Sequence, residues 1–235
     1  MKKLFDAIGG WTSQFEVDGE LVGGHLRLDL DERLKWQIAV FGGLNDKTIL
    51  ELGPLEGAHT KMMADAGADF ITAIEGDPKC FLRCLIVKEA FNMPNVEFLY
   101  RDFCKYVSVM ANSELFGQGL LFDIISASGV LYHQLNPAQL IYDMSMITDH
   151  IFVWSQVADT KKDFIQVGDH KYYGEVRTYG KHTDSYCGGL HPTSFWMEAD
   201  EMRRCFNDVG FELIEKKCEP NVNGSCLLFI ANKIK

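Results

Sequence analysis

The sequence predicts an α/β fold: a seven-stranded, mostly parallel sheet with helices on both faces, whose last two strands form an antiparallel hairpin. Short apolar segments alternate with helix-like segments along the chain. The first five apolar segments start roughly 22 to 29 residues apart, which is the length of a βα unit. Their apolar residues are continuous, as in parallel strands buried on both faces. Two more strands, joined by a turn at residues 221–224, complete the predicted sheet.

The predicted elements follow in chain order from these patterns. Apolar residues between Phe5 and Phe15 have the spacing of a short amphipathic helix, and residues 31–41 follow a second helical rhythm. We therefore expect a helical cap over residues 1–45. The predicted strands are residues 48–52, 70–74, 96–100, 122–127, 151–156, 211–216 and 225–231.

Three of the helices between the strands have recognisable ends. Asp77-Pro78 and Asn136-Pro137 each combine an N-cap residue with proline at the first helical position. A last helix is expected to start near Glu198 and to stop at Gly210. The long segment 159–193 has no such pattern but is rich in tyrosine, which predicts an ordered insertion that carries function.

Composition limits the class of partner and the compartment. The 235 residues carry a net charge of −10, which makes a nucleic-acid partner unlikely because no phosphate-binding track is expected. The seven cysteines form an odd set without a Cys-x-x-Cys pair, and the chain opens without an apolar leader. We therefore expect reduced thiols and a cytoplasmic location. No apolar run reaches the ~18 residues of a membrane span, so no membrane partner is expected.

The first predicted strand ends in a tight turn that is suited to a nucleotide-like ligand. Glu51 is followed by Gly53, Pro54 and Gly57, and a helix-compatible stretch begins there. Such a strand–turn–helix junction exposes backbone N–H groups, and glycine lets a ligand approach the backbone. Glu75 ends the second strand, 22 residues after Gly53, where a carboxylate can accept hydrogen bonds from ribose hydroxyls.

Two ligand classes share this geometry: dinucleotides and S-adenosylmethionine. Neither a G-x-G-x-x-G turn nor a Tyr-x-x-x-Lys pair occurs in the chain, which disfavours a nicotinamide or flavin cofactor. Asp102 and Phe103 follow the third strand. An acid beside an aromatic ring there can bond an adenine amino group and pack on the base.

From about residue 48 to its end, the chain therefore resembles the class I S-adenosylmethionine-dependent methyltransferases. These enzymes have a Rossmann-like fold. The usual first motif of that family is acid-x-Gly-x-Gly-x-Gly; Glu51, Gly53 and Gly57 match it, and Leu55 replaces the middle glycine. The resemblance implies S-adenosylmethionine as the cofactor. It places Glu51 and the Gly53 carbonyl at the methionine amino group and Glu75 at the ribose. The further cofactor contacts that it implies are Pro54, Gly76, Asp102, Phe103, Ser126 and Ser128.

A second resemblance lies at the fourth strand. Residues 126–133, Ser-Ala-Ser-Gly-Val-Leu-Tyr-His, followed by Asn136-Pro137, are similar to the corresponding segment of the tRNA wobble-uridine carboxymethyltransferases and related small-molecule enzymes. Because the chain is acidic, a small-molecule acceptor and ordinary S-adenosylmethionine are favoured. Methylation of a modified tRNA base and a non-catalytic cofactor-binding module remain alternatives, and the sequence leaves a homo-oligomer open.

These expectations divide the chain into one domain with four parts. They are the N-terminal helical cap (1–45), the cofactor-binding half (46–158), the substrate-side insertion (159–193), and the last helix with the C-terminal hairpin (194–235).

His133 is the candidate general base, because it follows the fourth strand at the edge of the sheet where ligands bind in open α/β folds. The candidate acceptor-binding residues are Tyr132, His25, Tyr173, His191 and Trp196, and Trp154 and Gln156 at the end of the fifth strand are further candidates for the pocket wall. The spacing of His182, Cys187 and His191 matches no familiar closed zinc site, so no metal is predicted.

Overall fold

The computed structural model describes residues 2–113, 121–179 and 189–234. The chain forms two compact units, residues 1–102 and residues 103–235. The helices are α1 (Lys2–Ala7), α2 (Glu32–Val40), α3 (Ala58–Asp65), α4 (Pro78–Ala90), α5 (Phe103–Asn112), α6 (Pro137–Ser145) and α7 (Ala199–Asp208). The strands are β1 (Gln14–Val17), β2 (Glu20–Gly23), β3 (Thr48–Leu52), β4 (Phe70–Glu75), β5 (Val96–Tyr100), β6 (Ile124–Ser128), β7 (His150–Gln156), β8 (Asp163–Val167), β9 (His170–Thr178), β10 (Thr193–Met197), β11 (Phe211–Lys216) and β12 (Cys226–Lys233).

The largest sheet has seven strands in the order β11-β12-β7-β6-β3-β4-β5. In the first unit β4 pairs in parallel with both β3 and β5. In the second unit β6 and β7 are parallel, whereas β12 pairs antiparallel with β7 and with β11. The predicted fold class is therefore confirmed, including the antiparallel hairpin at the end of the chain.

The start of the first unit differs from the predicted helical cap. Helix α1 ends at Ala7, and Phe15 lies on β1 of a β1–β2 hairpin, so a helix from Phe5 to Phe15 is wrong. Asp18 and Gly19 form the two-residue turn, both with positive φ. The apolar residues nevertheless meet, because the Phe5 and Phe15 rings lie 5.7 Å apart. The second predicted helix is confirmed as α2, whose N-cap is Asp31.

The remaining helix starts behave as their sequences predict. The Asp77 side chain accepts hydrogen bonds from the first turn of α4, and the Asn136 side chain does so for α6. Pro78 and Pro137 occupy the first helical positions, where the missing N–H costs nothing. Glu198 caps α7 in the same way.

Each unit is built round apolar strand residues. Ile49, Leu50 and Ile71 are fully buried in the first unit, and Ile151, Phe229 and other strand residues are fully buried in the second. Burying one such side chain stabilises the fold by about 1.5–3 kcal/mol. These continuous apolar segments therefore position the strand ends that carry the polar residues.

The predicted insertion contributes β8 and β9 to a three-stranded antiparallel sheet in the order β10-β9-β8, whose third strand lies almost wholly beyond the predicted bounds. Its β10 begins at Thr193, the predicted end of the insertion. Tyr172 is fully buried, and its hydroxyl lies 2.8 Å from both the Tyr142 hydroxyl and an Asp208 carboxylate oxygen. At this position, one tyrosine of the tyrosine-rich segment is therefore packed inside the fold.

The cysteines differ from the prediction in one pair. Cys218 and Cys226 form a disulfide, with their Cα atoms 6.1 Å apart, so the expectation that all thiols are reduced is wrong for these two residues. Within the described residues, Cys80, Cys84, Cys104 and Cys205 form no disulfide. None of the helices in the described ranges combines the length and apolarity that a membrane crossing requires.

Candidate functional site

The glycine turn after β3 has the backbone conformation expected for the predicted motif, although one glycine is replaced. Gly53, Leu55 and Gly57 have φ angles of +62°, +59° and +79°. Leu55 therefore adopts the left-handed conformation that the middle glycine of the motif would favour. This conformation costs a non-glycine residue about 1–3 kcal/mol, so surrounding contacts must hold it.

Glu75 supplies one of these contacts. Its carboxylate accepts a hydrogen bond from the Leu55 N–H at 3.0 Å and another from the Asp77 N–H at 2.8 Å. The side chain is 8% exposed, and this burial raises the pKa of the Glu75 carboxyl to about 7. Gly76 lies between the strand end and Asp77. The structure thus places Glu75 against the turn, as the sequence spacing predicts.

Glu51 is the second buried carboxyl beside the turn. It is 3% exposed and accepts a hydrogen bond from the Thr60 hydroxyl in α3. Burial, followed by the nearby charge of Glu75, raises the pKa of Glu51 to about 8. The turn does not present the exposed N–H groups expected from the sequence, because Gly53 donates to the Ile74 carbonyl, Gly57 to the Pro54 carbonyl and Leu55 to Glu75. The two poorly solvated carboxyls beside it suit a ligand that carries both an ammonium group and hydroxyl groups.

Glu56 lies inside the turn and was not predicted as a functional residue. It is fully buried, and its carboxylate accepts hydrogen bonds from the N–H groups of Thr12 at 3.0 Å and Ser13 at 2.6 Å. Arg83 of α4 lies 3.6 Å from it and also donates to the Gly9 carbonyl at 2.6 Å. The turn is therefore tied to the N-terminal segment by a buried ion pair.

The other predicted residues of the first unit lie in different surroundings. His25 is exposed after the β1–β2 hairpin, and Asp102 directly precedes α5. His59 of α3 bonds the Asp31 carboxylate at 2.9 Å. Burial raises the pKa of Asp31, but the hydrogen bonds from His59 and Arg33 outweigh it and hold this pKa well below the usual range. His59 is therefore a structural partner of α2.

His133 and Tyr132 of the second unit lie on a short 3-10 turn, residues 131–133, which follows β6. Their rings are 4.1 Å apart, and burial lowers the pKa of His133 to about 4. Its Nδ1 is buried and has no hydrogen-bond partner within the described part of the chain. A Cβ on Gly189 would lie 3.1 Å from this nitrogen, so glycine lets the backbone approach the ring closely. The His133 ring is therefore neutral near pH 7, and its buried Nδ1 is unpaired within the described residues.

The Tyr132 ring also packs against two tryptophan rings. Its ring meets those of Trp154 on β7 at 6.0 Å and Trp196 on β10 at 5.4 Å, both edge to face. Gly129 beside these rings has a φ of +80°, a conformation that favours glycine, and a Cβ there would lie at ordinary contact distance, 3.4 Å, from the Trp154 ring. The Trp196 indole N–H donates to the Tyr179 hydroxyl at 3.3 Å. The structure thus brings the predicted Tyr132, His133, Trp154 and Trp196 together and adds Tyr179.

Four other predicted residues of this unit are not part of this group of aromatic rings. Tyr173 is 38% exposed on β9, with its ring 6.1 Å from that of Phe164. His191 is half-buried before β10, and Phe103 is half-buried at the start of α5. Ser128 ends β6. His182 and Cys187 lie outside the described residues.

Ser126 of β6 and Gln156 of β7 are 1% and 0% exposed. The Ser126 hydroxyl and both amide atoms of Gln156 have no hydrogen-bond partner among residues 2–113, 121–179 and 189–234. The position of Gln156 at a strand end was the only sign in the sequence that it could belong to a site.

Comparisons with known proteins agree with this geometry. No protein-family model matches the chain. The chain is 30% identical over 107 residues to the tRNA U34 carboxymethyltransferase of Psychrobacter arcticus, a match that covers 44% of this chain and only 30% of that relative.

Solved structures match over a much longer range. The N-terminal domain of EvdMO1, crystallised in the presence of SAH and D-fucose, is 21% identical with a TM-score of 0.77, covering 100% of this chain and 95% of that domain. Against the EvdMO1 crystal structure that is not limited to this domain, the match covers 46% of the EvdMO1 chain. Magnesium protoporphyrin IX methyltransferase from Synechocystis PCC 6803 with bound SAH is 16% identical with a TM-score of 0.57, covering 86% of this chain and 80% of that one.

Together, the sheet order and these structural matches, which cover 86–100% of the chain, show that it has the fold of the class I S-adenosylmethionine-dependent methyltransferases.

Proposed function

We propose that this chain transfers the methyl group of S-adenosylmethionine to an O, N or C atom of a small-molecule acceptor. The observation that carries this proposal is the position of Glu75, a buried carboxylate bonded to the N–H of Leu55 in the glycine turn. The same fold contains SAH in EvdMO1 and in the magnesium protoporphyrin IX methyltransferase.

The residues of the first unit fit such a cofactor. The Glu75 carboxylate already accepts two backbone N–H groups, and each of its oxygens has a further lone pair for a ribose hydroxyl. Glu51 is the proposed partner of the methionine ammonium group, together with the Gly53 carbonyl. Pro54, Gly57, Gly76, Asp102, Phe103, Ser126 and Ser128 remain the further proposed cofactor contacts.

The cofactor supplies an electrophilic methyl group on a sulfonium. Holding the acceptor atom in line with that methyl can contribute about 7–11 kcal/mol to lowering the barrier. For a hydroxyl acceptor, the O–C bond forms as the C–S bond breaks, and the hydroxyl proton must leave. The Nδ1 of His133, which has no hydrogen-bond partner within the described residues, is the proposed proton acceptor. Its low pKa suffices because the hydroxyl becomes strongly acidic as the new bond forms.

The acceptor is proposed to contact Tyr132 and Trp196, whose rings surround the His133 turn. His25, Tyr173 and His191 remain proposed acceptor contacts. We also propose a cytoplasmic location, because four of the six cysteines in the described ranges form no disulfide, whereas the Cys218–Cys226 disulfide opposes it. Cell fractionation would test it, and recovery of the protein outside the cytoplasmic fraction would refute it.

Isothermal titration calorimetry tests the cofactor. We expect SAH to bind, and Glu75→Ala to weaken its binding at least tenfold, since losing hydrogen bonds to a charged group costs about 1.5–3 kcal/mol each. Glu97→Ala is the matched control, because Glu97 is exposed on the neighbouring β5. Binding of NAD in place of SAH would refute the proposal.

The second candidate function is methylation of a modified tRNA base, which the match to the tRNA U34 carboxymethyltransferase favours. The net charge of −10 opposes it. Filter binding of bulk tRNA at 50 and 200 mM salt separates the two: binding that falls steeply with salt supports the tRNA candidate, and its absence supports a small molecule.

A further inference from the structure

The second unit contains a fully buried amide with no hydrogen-bond partner. Both amide atoms of Gln156 are unpaired within the described ranges, and the residue is 0% exposed. More than about 90% of buried polar groups in folded proteins are paired, because an unpaired one destabilises the fold. An amide with an orphaned donor and an orphaned acceptor is therefore expected to meet a ligand.

The strand register places Gln156 next to the aromatic residues of the site. Side chains alternate along β7, so Gln156 and Trp154 share one face of the strand. In the parallel pair of β6 and β7, Ser128 lies opposite Trp154, so Ser126 and Ser128 share that face. The Trp154 ring in turn contacts Tyr132. Gln156 thus ends a row that runs through Trp154 and Tyr132 to His133.

This row, the four residues Gln156, Trp154, Tyr132 and His133, carries no charge near pH 7. Burial lowers the pKa of His133 to about 4, so its ring is neutral. Among the described residues, Arg177 packs on the neighbouring Trp196 ring at 4.8 Å and is already paired with Glu175 at 2.9 Å. A charged ligand buried against the row would find no counter-ion among the four residues of the row, which is costly.

From this row we infer that Gln156 recognises the methyl acceptor, and that the acceptor is a neutral polyhydroxylated ring of the sugar class. An amide donates from nitrogen and accepts at oxygen, so it can bond two adjacent hydroxyl groups at once. Aromatic side chains beside such an amide suit the C–H side of a sugar ring, and Tyr132, Trp154 and Trp196 lie together in this unit. That the bound ring is the methyl acceptor rests on the proposed function, whereas the binding of the ring itself does not.

Saturation-transfer NMR with D-fucose and D-galacturonate tests the inference. These two sugars share their ring stereochemistry and differ in carrying a methyl or a carboxylate at the same carbon. We expect D-fucose to bind at least tenfold more tightly than D-galacturonate, and more tightly than uridine. Equal or tighter binding of D-galacturonate or uridine, or no binding of D-fucose, would overturn the inference.

Variants test the role of Gln156 itself. Gln156→Leu should weaken D-fucose binding at least tenfold, whereas Gln166→Leu, on the exposed face of β8, should leave it unchanged. Gln156→Glu has nearly the same shape but loses both amide N–H donors when ionised, so it should also weaken D-fucose binding at least tenfold at pH 7. Circular dichroism spectra that match the wild-type chain exclude a folding defect in each variant. Unchanged D-fucose affinity in either Gln156 variant contradicts the inference.

Titrating SAH into each variant separates the two proposals. If the wild-type chain binds no SAH, the proposed function fails, and the sugar titrations without SAH still decide the inference. If SAH binds but D-fucose does not, only the inference fails.

Discussion

Binding of SAH should release protons from the protein, because two carboxyls beside the glycine turn are partly protonated without a ligand. The pKa of Glu51 is raised to about 8 and that of Glu75 to about 7, both mainly by burial. At pH 7 Glu51 is then about 90% protonated and Glu75 about half protonated. An ammonium group at Glu51 and hydroxyl groups at Glu75 favour the ionised forms. Full ionisation on binding therefore releases about 1.4 protons per SAH at pH 7.

The raised pKa values of Glu51 and Glu75 also determine how SAH binding depends on pH. The raised pKa values mean that the unliganded protein loses these protons only as pH rises through 7 and 8. The number released on binding should fall to about 0.6 at pH 8, and SAH affinity should rise about tenfold from pH 7 to pH 8.

Calorimetry in buffers with different ionisation enthalpies, such as phosphate and Tris, measures proton release directly. The matched perturbation is Glu51→Gln, which keeps an oxygen for the Thr60 hydroxyl but cannot ionise. Proton release at pH 7 should then fall to about 0.5, the part due to Glu75. Equal binding enthalpies in the two buffers for the wild-type chain would refute the reasoning, as would an unchanged proton release in the variant.

Three further predictions follow from other contacts. Glu56→Ala should lower the free energy of unfolding in urea by about 3–5 kcal/mol, because it removes the buried carboxylate that lies 3.6 Å from the buried Arg83 guanidinium; a loss below 1 kcal/mol would contradict this. Gly57→Ala should cost about 1–3 kcal/mol in the same assay, because φ there is +79° and the new Cβ would lie 3.3 Å from the Phe98 ring. Gly9→Ala, with nothing within 4 Å of the added Cβ, is its control and should be nearly neutral. Once an acceptor is known, His133→Asn should lower turnover about 10²–10⁴-fold without changing SAH affinity, and full turnover in that variant would exclude His133 as the base.

Local sequence patterns predicted most of the fold. The observed bounds of β3, β5 and β11 match the predicted residues, since a buried apolar run between turn residues specifies a strand without reference to distant contacts. The caps at Asp77 and Asn136 are equally local. The missed β1–β2 hairpin also had a local signature, because Asp18-Gly19 is a two-residue turn pair that takes positive φ at both positions. The apolar spacing from Phe5 to Phe15 masked that signature.

The candidate site was predictable only where its residues follow strand ends. Glu51, Glu75 and His133 were found from such positions. Glu56 was not, because its partners Thr12 and Ser13 lie 44 and 43 residues earlier in the chain. Contacts of this kind depend on how the chain folds back, which no local pattern specifies. The pairing of Cys218 with Cys226 likewise depends on the approach of two separate backbone segments.

Leu55 has a consequence for how relatives of this chain can be found. A search pattern that demands glycine at this position rejects the sequence, although the backbone there has the conformation for which glycine is used. The chain matches no family model, yet a solved domain superposes over its whole length at 21% identity. At this turn a leucine held by the bond from its N–H to Glu75 keeps the dihedral angles that a glycine would otherwise provide. Patterns written in dihedral angles and acceptor positions would therefore reach sequences that patterns written in residue letters exclude.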